Sequence, residues 1–477
     1  MERAARRARG EDGALTLPLD IARDPAEAAS QTGGERLVAR LEAVPFSSWH
    51  RRARIIVGSA TFFDAFDALS IAFVLPVLRP LWHLGNGEIA WLIAASYIGQ
   101  VAGALVFSRL AERFGRIKIA AAAVAIMSVL SLVCALAGDF TSLFACRLVQ
   151  GIGVGGEMPV AAAYIGELSR AERRGRFFLF YEMIFPLGLV AAGQAGAWLV
   201  PLFGWKIMFL LGGIPGLVIS VLLLRLPESP RWLVSQGRLD EAEAVIREIE
   251  ASTRERRPVD EIARRPAAAG APVRSRWSEL LSPLYARRSL VVWLLWACAF
   301  FVTNGINNWA PTLYGDIYGL ALPAALRAAA LNNVAQVAAL LVCALVIDRI
   351  GRRLWAVGVF AAGALLLAAL GLAPALGAGG VIALVVASYG VIGSANAVLY
   401  LYTPEIYPTR MRALGTGVAT FWLRVASAAA QLAVGFMLIR GGMSAIFLMF
   451  AGVSAVGALA ALGMIETRRR RLEEIAP

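Results

Sequence analysis

The chain has 477 residues, of which 58% are hydrophobic and 17% are charged. An ordinary soluble domain has roughly 45–50% apolar and about 25% charged residues. This composition, with a mean hydropathy of +0.66, therefore excludes a typical soluble globular protein. The net charge of +13 would favour nucleic acid as the partner of a soluble protein, but the basic residues concentrate in alternate segments between apolar runs. We expect a polytopic membrane protein and no nucleic-acid partner.

Twelve apolar runs follow one another along the chain, each close to the roughly 20 residues that a helix needs to cross a bilayer. Twelve such spans use roughly 240 residues, which leaves the rest of the chain for loops and tails. The pattern predicts an all-α membrane protein with twelve transmembrane helices, at 55–78, 88–108, 119–138, 143–166, 177–201, 205–226, 289–312, 325–347, 354–375, 379–402, 413–437 and 443–465.

Three hydrophilic segments surround these runs. Residues 1–54 are polar and Arg-rich without the apolar core of a signal peptide, so we expect an uncleaved N-terminal tail. Residues 227–288 form the long internal connection, in which 239–250 has apolar residues at helical spacing and is predicted to be a short amphipathic helix. Residues 466–477 form a second tail. Because Lys and Arg favour the cytoplasmic side, the charge pattern predicts that both tails are cytoplasmic. The loops on the opposite side hold few basic residues, namely Arg79, Lys206, Arg327 and Arg440.

The two halves of the chain repeat the same landmarks. The loop after the second run reads AERFGRIK, and the loop after the eighth run reads IDRIGRRL. Asp64-x-x-Asp67 in the first run corresponds to Asn304-x-x-Asn307 in the seventh, 240 residues later. The repeat predicts two pseudo-symmetric six-helix bundles, at 55–226 and 289–465. Both copies begin and end on the same side, so we expect the substrate site between them near the bilayer midplane.

At these motifs the chain resembles the major facilitator superfamily, over residues 55–466. The acidic-Arg-x-Gly-Arg loop occurs once in each half. RLVQGIGVGGEMP at 147–159, PESPRWL at 227–233 and PEIYPTRMR at 404–412 narrow the resemblance to one branch. That branch contains sugar porters, metabolite and aromatic-acid proton symporters, nicotinate transporters, synaptic-vesicle-protein-like members and organic-ion transporters.

Departures from the family pattern help to choose within this branch. The seventh run, AFFVTNGINNWAPTLY at 299–314, lacks the pair of Gln residues that is typical of sugar porters. The loop after the first run is short, unlike that of animal organic-ion transporters. FFDAFDALSIAFVLP at 62–76 and the GGEMP motif most resemble aromatic-acid and nicotinate carriers. The resemblance therefore implies a prokaryotic-type carrier of a small organic carboxylate in the bacterial inner membrane.

Placing an ionised side chain within the bilayer costs free energy, so the charged residues within the apolar runs are candidates for a function. Asp64 and Asp67 are three residues apart on one helical side, and two close carboxylates in an apolar setting suit reversible protonation. The resemblance implies that Arg147 pairs with Asp67 and is released when Asp67 is protonated; a static ion pair is the alternative. Glu157 is about 15 Å further along the helix of Arg147. It is either a second proton-coupling site or part of the gate packing.

Arg424 in the eleventh run is the candidate for binding the substrate carboxylate, because its planar guanidinium can donate two parallel hydrogen bonds. A structural ion pair with Glu182 in the fifth run is the alternative. Further candidates for substrate contact are amide and aromatic side chains, whose alternative roles are interhelical hydrogen bonding and packing. They are Asn304, Asn307, Asn308, Gln194, Tyr314, Tyr97, Tyr181, Trp309, Tyr389, Tyr400, Tyr402 and Trp422.

Charged residues in the repeated loops are predicted to form a cytoplasmic gate. Their side chains reach neighbouring helix ends and exchange partners as the two halves rock, so they stabilise the outward-facing state and do not bind substrate. They are Glu112, Arg113, Arg116, Glu167 and Arg176 in the first half, and Asp348, Arg349, Arg352, Glu405 and Arg412 in the second.

No pattern for catalysis, metal binding or nucleotide binding is recognised. The chain has 2 His and 4 Cys, and the glycines between 151 and 156 lie in an apolar helix, where small residues allow close helix approach. We expect no enzyme activity, metal or cofactor. The sequence predicts a proton-coupled symporter that imports nicotinate or a benzoate-like aromatic acid by alternating access, as a monomer in membrane lipid. A sugar or polyol symporter, a drug or organic-cation efflux antiporter and a non-transporting receptor are the alternatives.

Overall fold

A computed structural model describes residues 25–168, 183–253, 277–372, 376–408 and 411–468. Within these ranges the chain forms fifteen α-helices and one 3-10 helix, with no β-strand. The first half contains α1 (Pro25–Ala43), α2 (Ser48–Leu81), α3 (Asn86–Phe114), α4 (Arg116–Cys134), α5 (Phe140–Leu168), α6 (Ile184–Phe203) and α7 (Lys206–Leu223). The connection contains α8 (Pro230–Ser235), α9 (Leu239–Ala251) and the 3-10 helix Trp277–Leu281. The second half contains α10 (Ala286–Asp316), α11 (Leu322–Ile350), α12 (Arg352–Leu372), α13 (Ala378–Glu405), α14 (Arg412–Arg440) and α15 (Gly442–Leu462).

Eleven of these helices are long and apolar enough to cross a membrane, namely α2 to α4, α6, α7 and α10 to α15. α5 completes the six long helices of the first half, and Arg147 and Glu157 are buried within it. The predicted spans correspond to these helices. α2 is longer than the first predicted span, 55–78, because hydropathy marks only the apolar middle of a helix. The predicted span 177–201 begins outside the described residues, and its described part is α6.

α1 lies within the segment that was expected to be only a polar tail. Its residues Leu37 and Leu41 are buried in an apolar cluster that also contains residues of α8 and α9. Arg40 donates hydrogen bonds to Glu250, at 3.0 and 2.9 Å, and to Glu243. Hydrogen bonds from Arg247 and Arg40 lower the pKa of the Glu243 carboxyl, which favours its charged form. The N-terminal helix and the connection therefore form one layer beside the first bundle.

The packing of the long helices repeats between the halves. α3 packs on α5, α4 on α7 and α2 on α6; in the second half α11 packs on α13, α12 on α15 and α10 on α14. Across the interface α2 meets α10, while α3 meets α14 and α6 meets α11. In the repeat, α3 corresponds to α11 and α14 to α6, so the contact of α3 with α14 corresponds to the contact of α11 with α6. The contact of α2 with α10 corresponds to itself. This pattern is that of two six-helix units related by a pseudo-twofold axis.

Glycines allow α3 and α5 to approach very closely. A Cβ at Gly99 or Gly103 of α3 would overlap the backbone of α5, and a Cβ at Gly151 or Gly155 of α5 would overlap the backbone of α3. This arrangement confirms that the glycine-rich run is a helix-packing feature.

The two ends of the bundle differ in the segments that they hold. We call the end with α1, α8 and α9 the linker face, and the end with the turns after α2, α4, α6, α10 and α14 the opposite face. By the charge pattern of the sequence, the linker face is predicted to be cytoplasmic.

Candidate functional site

A cavity of about 800 Å³ lies between the two halves. α2, α3, α5 and α6 line it from the first half, and α10, α11, α13 and α14 from the second. Tyr97, Asn307 and Tyr389 line its deep part, and it reaches Asp348 and Arg352 at the linker face. The cavity therefore runs from the middle of the bundle to the linker face.

Contacts between the halves close the opposite face. Arg79 at the end of α2 forms an ion pair with Asp316 at the end of α10. The guanidinium of Arg327 on α11 lies 5.6 Å from the ring centre of Trp198 on α6. These contacts place the structure in a state that is open toward the linker face.

Asp67 and Arg147 form a buried ion pair, with 3.1 Å between Asp67 Oδ2 and Arg147 Nη1. Asp67 Oδ1 also accepts hydrogen bonds from Ser131 Oγ at 2.9 Å and from Gln150 Nε2 at 2.8 Å. Both charged side chains are 1% exposed, and neither lines the cavity. The pairing that the family resemblance implies is therefore present, and its part in proton coupling stays a prediction.

Asp64 lies one turn before Asp67 and lines the cavity. Three residues rotate a helix by about 300°, so the two carboxylates lie about 60° apart around α2 and reach different surroundings. Asp64 Oδ1 is buried and has no hydrogen-bond partner. Asp64 interacts electrostatically with Glu157 and Arg424. Of the two helix α2 carboxylates, it is the one that a substrate in the cavity can contact.

Glu157 is fully buried on α5. Its Oε1 accepts a hydrogen bond from Thr61 Oγ1 at 2.9 Å, and its Oε2 has no partner. Glu157 does not line the cavity itself. Glu157 therefore has one carboxyl oxygen engaged by Thr61 and one without a hydrogen bond.

Arg424 on α14 lines the cavity and is 4% exposed. Its Nη1 donates to Thr420 O on its own helix at 3.2 Å, and its Nη2 donates to Gly155 O on α5 at 3.4 Å. Its Nε is buried without a partner. The proposed alternative partner, Glu182, lies outside the described residues.

Asn304 and Asn307 both line the cavity, as expected for substrate contacts. Asn304 Nδ2 donates to Ser427 Oγ at 2.7 Å, and Asn307 Nδ2 donates to Asn333 Oδ1 at 3.0 Å. Their amides thus also join neighbouring helices, which was the alternative role.

Trp422 and Tyr402 do not line the cavity. Trp422 is 38% exposed, and Tyr402 is buried with its hydroxyl accepting a hydrogen bond from Ile465 N at 2.9 Å. Each lies two residues from a cavity residue, Arg424 and Tyr400 respectively. Two residues rotate a helix by about 200°, and here this rotation turns Trp422 and Tyr402 away from the cavity that Arg424 and Tyr400 line.

The remaining predicted substrate contacts are not brought to the cavity either. Tyr314 is 2% exposed near the end of α10, and Gln194 is half-buried on α6. Neither lines the cavity. Tyr181 lies outside the described residues.

The residues of the first half that were predicted to form the gate lie in a cluster at the linker face. Arg116 Nε lies 3.1 Å from Glu167 Oε1. Glu228 Oε1 accepts hydrogen bonds from the backbone N–H groups of Arg116 at 2.8 Å and Ile117 at 3.2 Å, so it caps the start of α4. These contacts lie within the first half.

The second half repeats this cluster. Arg352 contacts Glu405 Oε1 at 3.2 Å and Asp348 Oδ1 at 3.0 Å. Glu466 accepts hydrogen bonds from the backbone N–H groups of Arg352 and Arg353, both at 3.1 Å. These contacts lie within the second half, as expected when the linker face is open.

The other predicted gate residues lie at the same face. Glu112, Arg113 and Arg349 are exposed, and Arg412 Nε donates to Tyr407 O at 3.1 Å. Arg176 lies outside the described residues.

Among the site residues that were not predicted, three recur at the repeat offset. Gln100 and Gln336 both line the cavity, and they are 236 residues apart, the offset between Glu112 and Asp348. Glu466 is 238 residues after Glu228 and has the same capping role. The repeat offset was thus the signal that would have identified these residues.

Comparison with known proteins agrees with this architecture. The family model "Sugar (and other) transporter" matches residues 82–477. The niacin transporter NiaP of Acinetobacter baylyi is 34% identical over 442 residues, covering 92% of this chain and 99% of the relative. The 4-hydroxybenzoate transporter PcaK of Pseudomonas aeruginosa is 30% identical over 282 residues, covering 58% of this chain and 62% of the relative.

A solved structure of the xylose transporter XylE from E. coli, in a partially occluded inward-open conformation, has the same fold. The TM-score is 0.70 at 22% identity, and the match covers 89% of this chain and 100% of that structure. These matches confirm the resemblance and the predicted fold class, an all-α membrane protein with twelve transmembrane helices in two six-helix bundles.

Proposed function

Because the chain belongs to the "Sugar (and other) transporter" family of the major facilitator superfamily, we propose that it is a proton-coupled symporter of small organic carboxylates. Nicotinate or a benzoate-like aromatic acid is the proposed substrate, imported by alternating access. The relatives that carry the names niacin transporter and 4-hydroxybenzoate transporter support this class of substrate. The proposed location is the bacterial inner membrane, with both termini in the cytoplasm and a monomer as the working unit.

The observation that carries the proposal is Arg424. A guanidinium that is 4% exposed, lines a cavity and has an unpartnered Nε needs an acceptor to offset its desolvation. A substrate carboxylate supplies such an acceptor through two oxygens, which matches the fork of arginine. A neutral substrate would leave this donor unpaired.

Proton coupling is assigned in this proposal to Asp64, Asp67, Arg147 and Glu157. Asp64 takes up a proton from the cavity when the substrate anion engages Arg424, because the anion removes the positive charge that favours an ionised Asp64. Protonation of Asp67 then releases Arg147 from the pair and biases one orientation of the two halves. Glu157, with one unsatisfied oxygen, is the second site in the scheme.

Alternating access in this scheme is a rocking of the two halves. In the present state the opposite face is closed by the Arg79–Asp316 pair, while the gate pairs at the linker face lie within each half. Closure of the linker face would bring the two gate clusters together and let their charges exchange partners across the interface.

The test is uptake of radiolabelled nicotinate and benzoate into proteoliposomes under an imposed inward proton gradient. A hexose is run beside them, with Arg424→Ala as the variant. Arg440→Ala is the matched control, because Arg440 is at the end of the same helix and lies over the ring of Phe436, outside the cavity. We expect accumulation of the acids that collapses with the gradient and in Arg424→Ala alone. Carboxylate uptake that survives Arg424→Ala would contradict the proposal.

A polyol or sugar is the second candidate substrate. Six amide side chains line the cavity, and amides are suited to hydroxyl groups. They are Gln100, Asn304, Asn307, Asn308, Gln336 and Asn396. Hexose uptake that is indifferent to Arg424→Ala would favour this candidate.

A further inference from the structure

Two cysteines of the first half lie close to the buried Asp67–Arg147 pair. Cys134 is the last residue of α4 and is buried, whereas Cys146 is the seventh residue of α5 and is half-buried. The two helices pack on each other. The turn between them, 135–139, belongs to the opposite face, so both thiols lie toward that end of the bundle.

The two thiols are in contact with each other. The side chains of Cys134 and Cys146 are within hydrogen-bonding reach. A second contact gives the same arrangement independently, because Cys134 Sγ lies 3.7 Å from Gln150 Oε1. Gln150 is four residues after Cys146 and therefore lies one turn further along the same side of α5. The other cysteines, Cys298 and Cys343, are on α10 and α11 of the second half.

Gln150 connects the thiols to the ion pair. Its Oε1 accepts hydrogen bonds from the Cys134 thiol and from Arg147 Nη1 at 2.9 Å, and its Nε2 donates to Asp67 Oδ1 at 2.8 Å. Cys146 is also the residue directly before Arg147. A covalent bond between the two sulfur atoms would therefore join α4 to α5 at the place where α5 presents Arg147 and Gln150 to Asp67.

We propose that Cys134 and Cys146 are a disulfide site that joins α4 to α5 beside the ion pair and stabilises the first bundle. The inference goes beyond the proposed function and does not depend on the substrate. By the charge pattern of the sequence, the opposite face is predicted to be the outer face, where thiols meet an oxidising environment. Both cysteines are in one half, so the bond does not oppose the rocking of the two halves.

The oxidant in this reaction is a small disulfide, RS–SR. The Cys146 thiol, which is the more exposed one, loses its proton and attacks a sulfur of RS–SR. This step forms a bond between Cys146 Sγ and SR, and the released RS⁻ takes up a proton to become RSH. Cys134 then loses its proton and attacks Cys146 Sγ, which forms the Sγ–Sγ bond and releases the second RSH. Two thiols are oxidised to one disulfide, RS–SR is reduced to two RSH, and the buried Cys134 needs no contact with the oxidant.

The test uses the full-length carrier in detergent with Cys298→Ser and Cys343→Ser, so that only the pair remains of the 4 cysteines. The protein is reduced, freed of the reductant and exposed to dithiodipyridine, a small disulfide that releases one coloured thiopyridone for each attack by a thiol. We expect two thiopyridones for each protein. The intact mass should show the loss of two hydrogen atoms and no bound pyridyl group. Two retained pyridyl groups, a disulfide-linked dimer or no reaction would overturn the proposal.

Cys146→Ser in the same background is the matched variant, because it leaves the contact of Cys134 with Gln150 in place. It is expected to release at most one thiopyridone and to form no internal disulfide. Loss of two hydrogen atoms in this variant would contradict the assignment. Peptide mapping of the wild-type protein after the same oxidation locates the Cys134–Cys146 bond without any substitution, and it decides the question if a variant does not fold.

Thermal melting measures the stabilising role. The oxidised protein is expected to melt at a higher temperature than the reduced protein, because a cross-link restricts the unfolded chain. Cys146→Ser should melt at the same temperature with and without the oxidant. Equal melting temperatures of the oxidised and the reduced pair would overturn the stabilising role of the bond.

Discussion

Asp64 and Asp67 have the same chemistry but opposite environments. Asp67 is fully engaged by Arg147, Ser131 and Gln150, whereas Asp64 Oδ1 has no partner and Asp64 lines the cavity. In an apolar interior, a buried ion pair stabilises the fold for as long as it is intact, while an unpaired carboxylate in a cavity is a group that can exchange a proton. The two substitutions to asparagine should therefore have different effects.

We predict that Asp67→Asn lowers thermal stability, because it leaves the buried Arg147 charge without its counter-ion at a cost of about 3–5 kcal/mol. Asp64→Asn should leave the melting temperature close to that of the wild type. It should abolish gradient-driven accumulation while retaining substrate exchange at equal pH. Melting curves in detergent and a counterflow assay check these outcomes. Normal gradient-driven accumulation of substrate by Asp67→Asn would contradict a role of the ion pair in proton coupling.

At the scale of elements, the two loops that were predicted to form the gate share one backbone conformation at a glycine. Gly115 has φ 107° and ψ 155°, and Gly351 has φ 97° and ψ 160°, a region that is essentially restricted to glycine. A Cβ at either position would overlap a carboxylate, that of Glu228 or Glu466, which caps the following helix. The loops therefore need glycine for their backbone conformation and for room.

We predict that Gly115→Ala and Gly351→Ala each destabilise the protein by about 1–3 kcal/mol, the cost of a strained backbone conformation. Gly358→Ala is the control, because a Cβ there meets nothing within 4 Å and alanine favours a helix. Thermal melting of the three purified variants measures the effect. Equal melting temperatures for the three would contradict the requirement for glycine in the loops.

At the scale of the whole molecule, the halves are held together at the opposite face and separate at the linker face. The Arg79–Asp316 ion pair joins them, with side chains 28% and 37% exposed. A pair at this exposure contributes about 1 kcal/mol or less, which corresponds to at most about a fivefold change in the ratio of the two orientations. The Arg79–Asp316 pair therefore changes the ratio of the two orientations but is too weak to hold the protein in one of them.

We predict that Asp316→Asn shifts the population away from the linker-open state, and that the exchange Arg79→Asp with Asp316→Arg restores it. A cysteine introduced at Ala344, which lines the cavity and is exposed, is modified by a thiol reagent from the linker face at a rate that reports that population. The rate should fall by up to about fivefold in Asp316→Asn in a background without the other cysteines. Arg440→Ala, at the same face but in contact with its own helix, should leave it unchanged. An unchanged rate in Asp316→Asn would show that the pair does not bias the two states.

By itself the sequence determined the number and order of the spans, the internal repeat, the repeated loop motifs and the charged residues that lie in apolar helices. These follow from local composition and from spacing, since a span needs only enough consecutive apolar residues and a repeat needs only a constant offset. Only the tertiary structure decided which side of each helix faces the cavity. It separates Arg424 from Trp422, Tyr400 from Tyr402 and Asp64 from Asp67. The reason is physical: in a helix buried on most sides, polar and apolar residues both point inward, so sequence periodicity does not single out the side that packing leaves open.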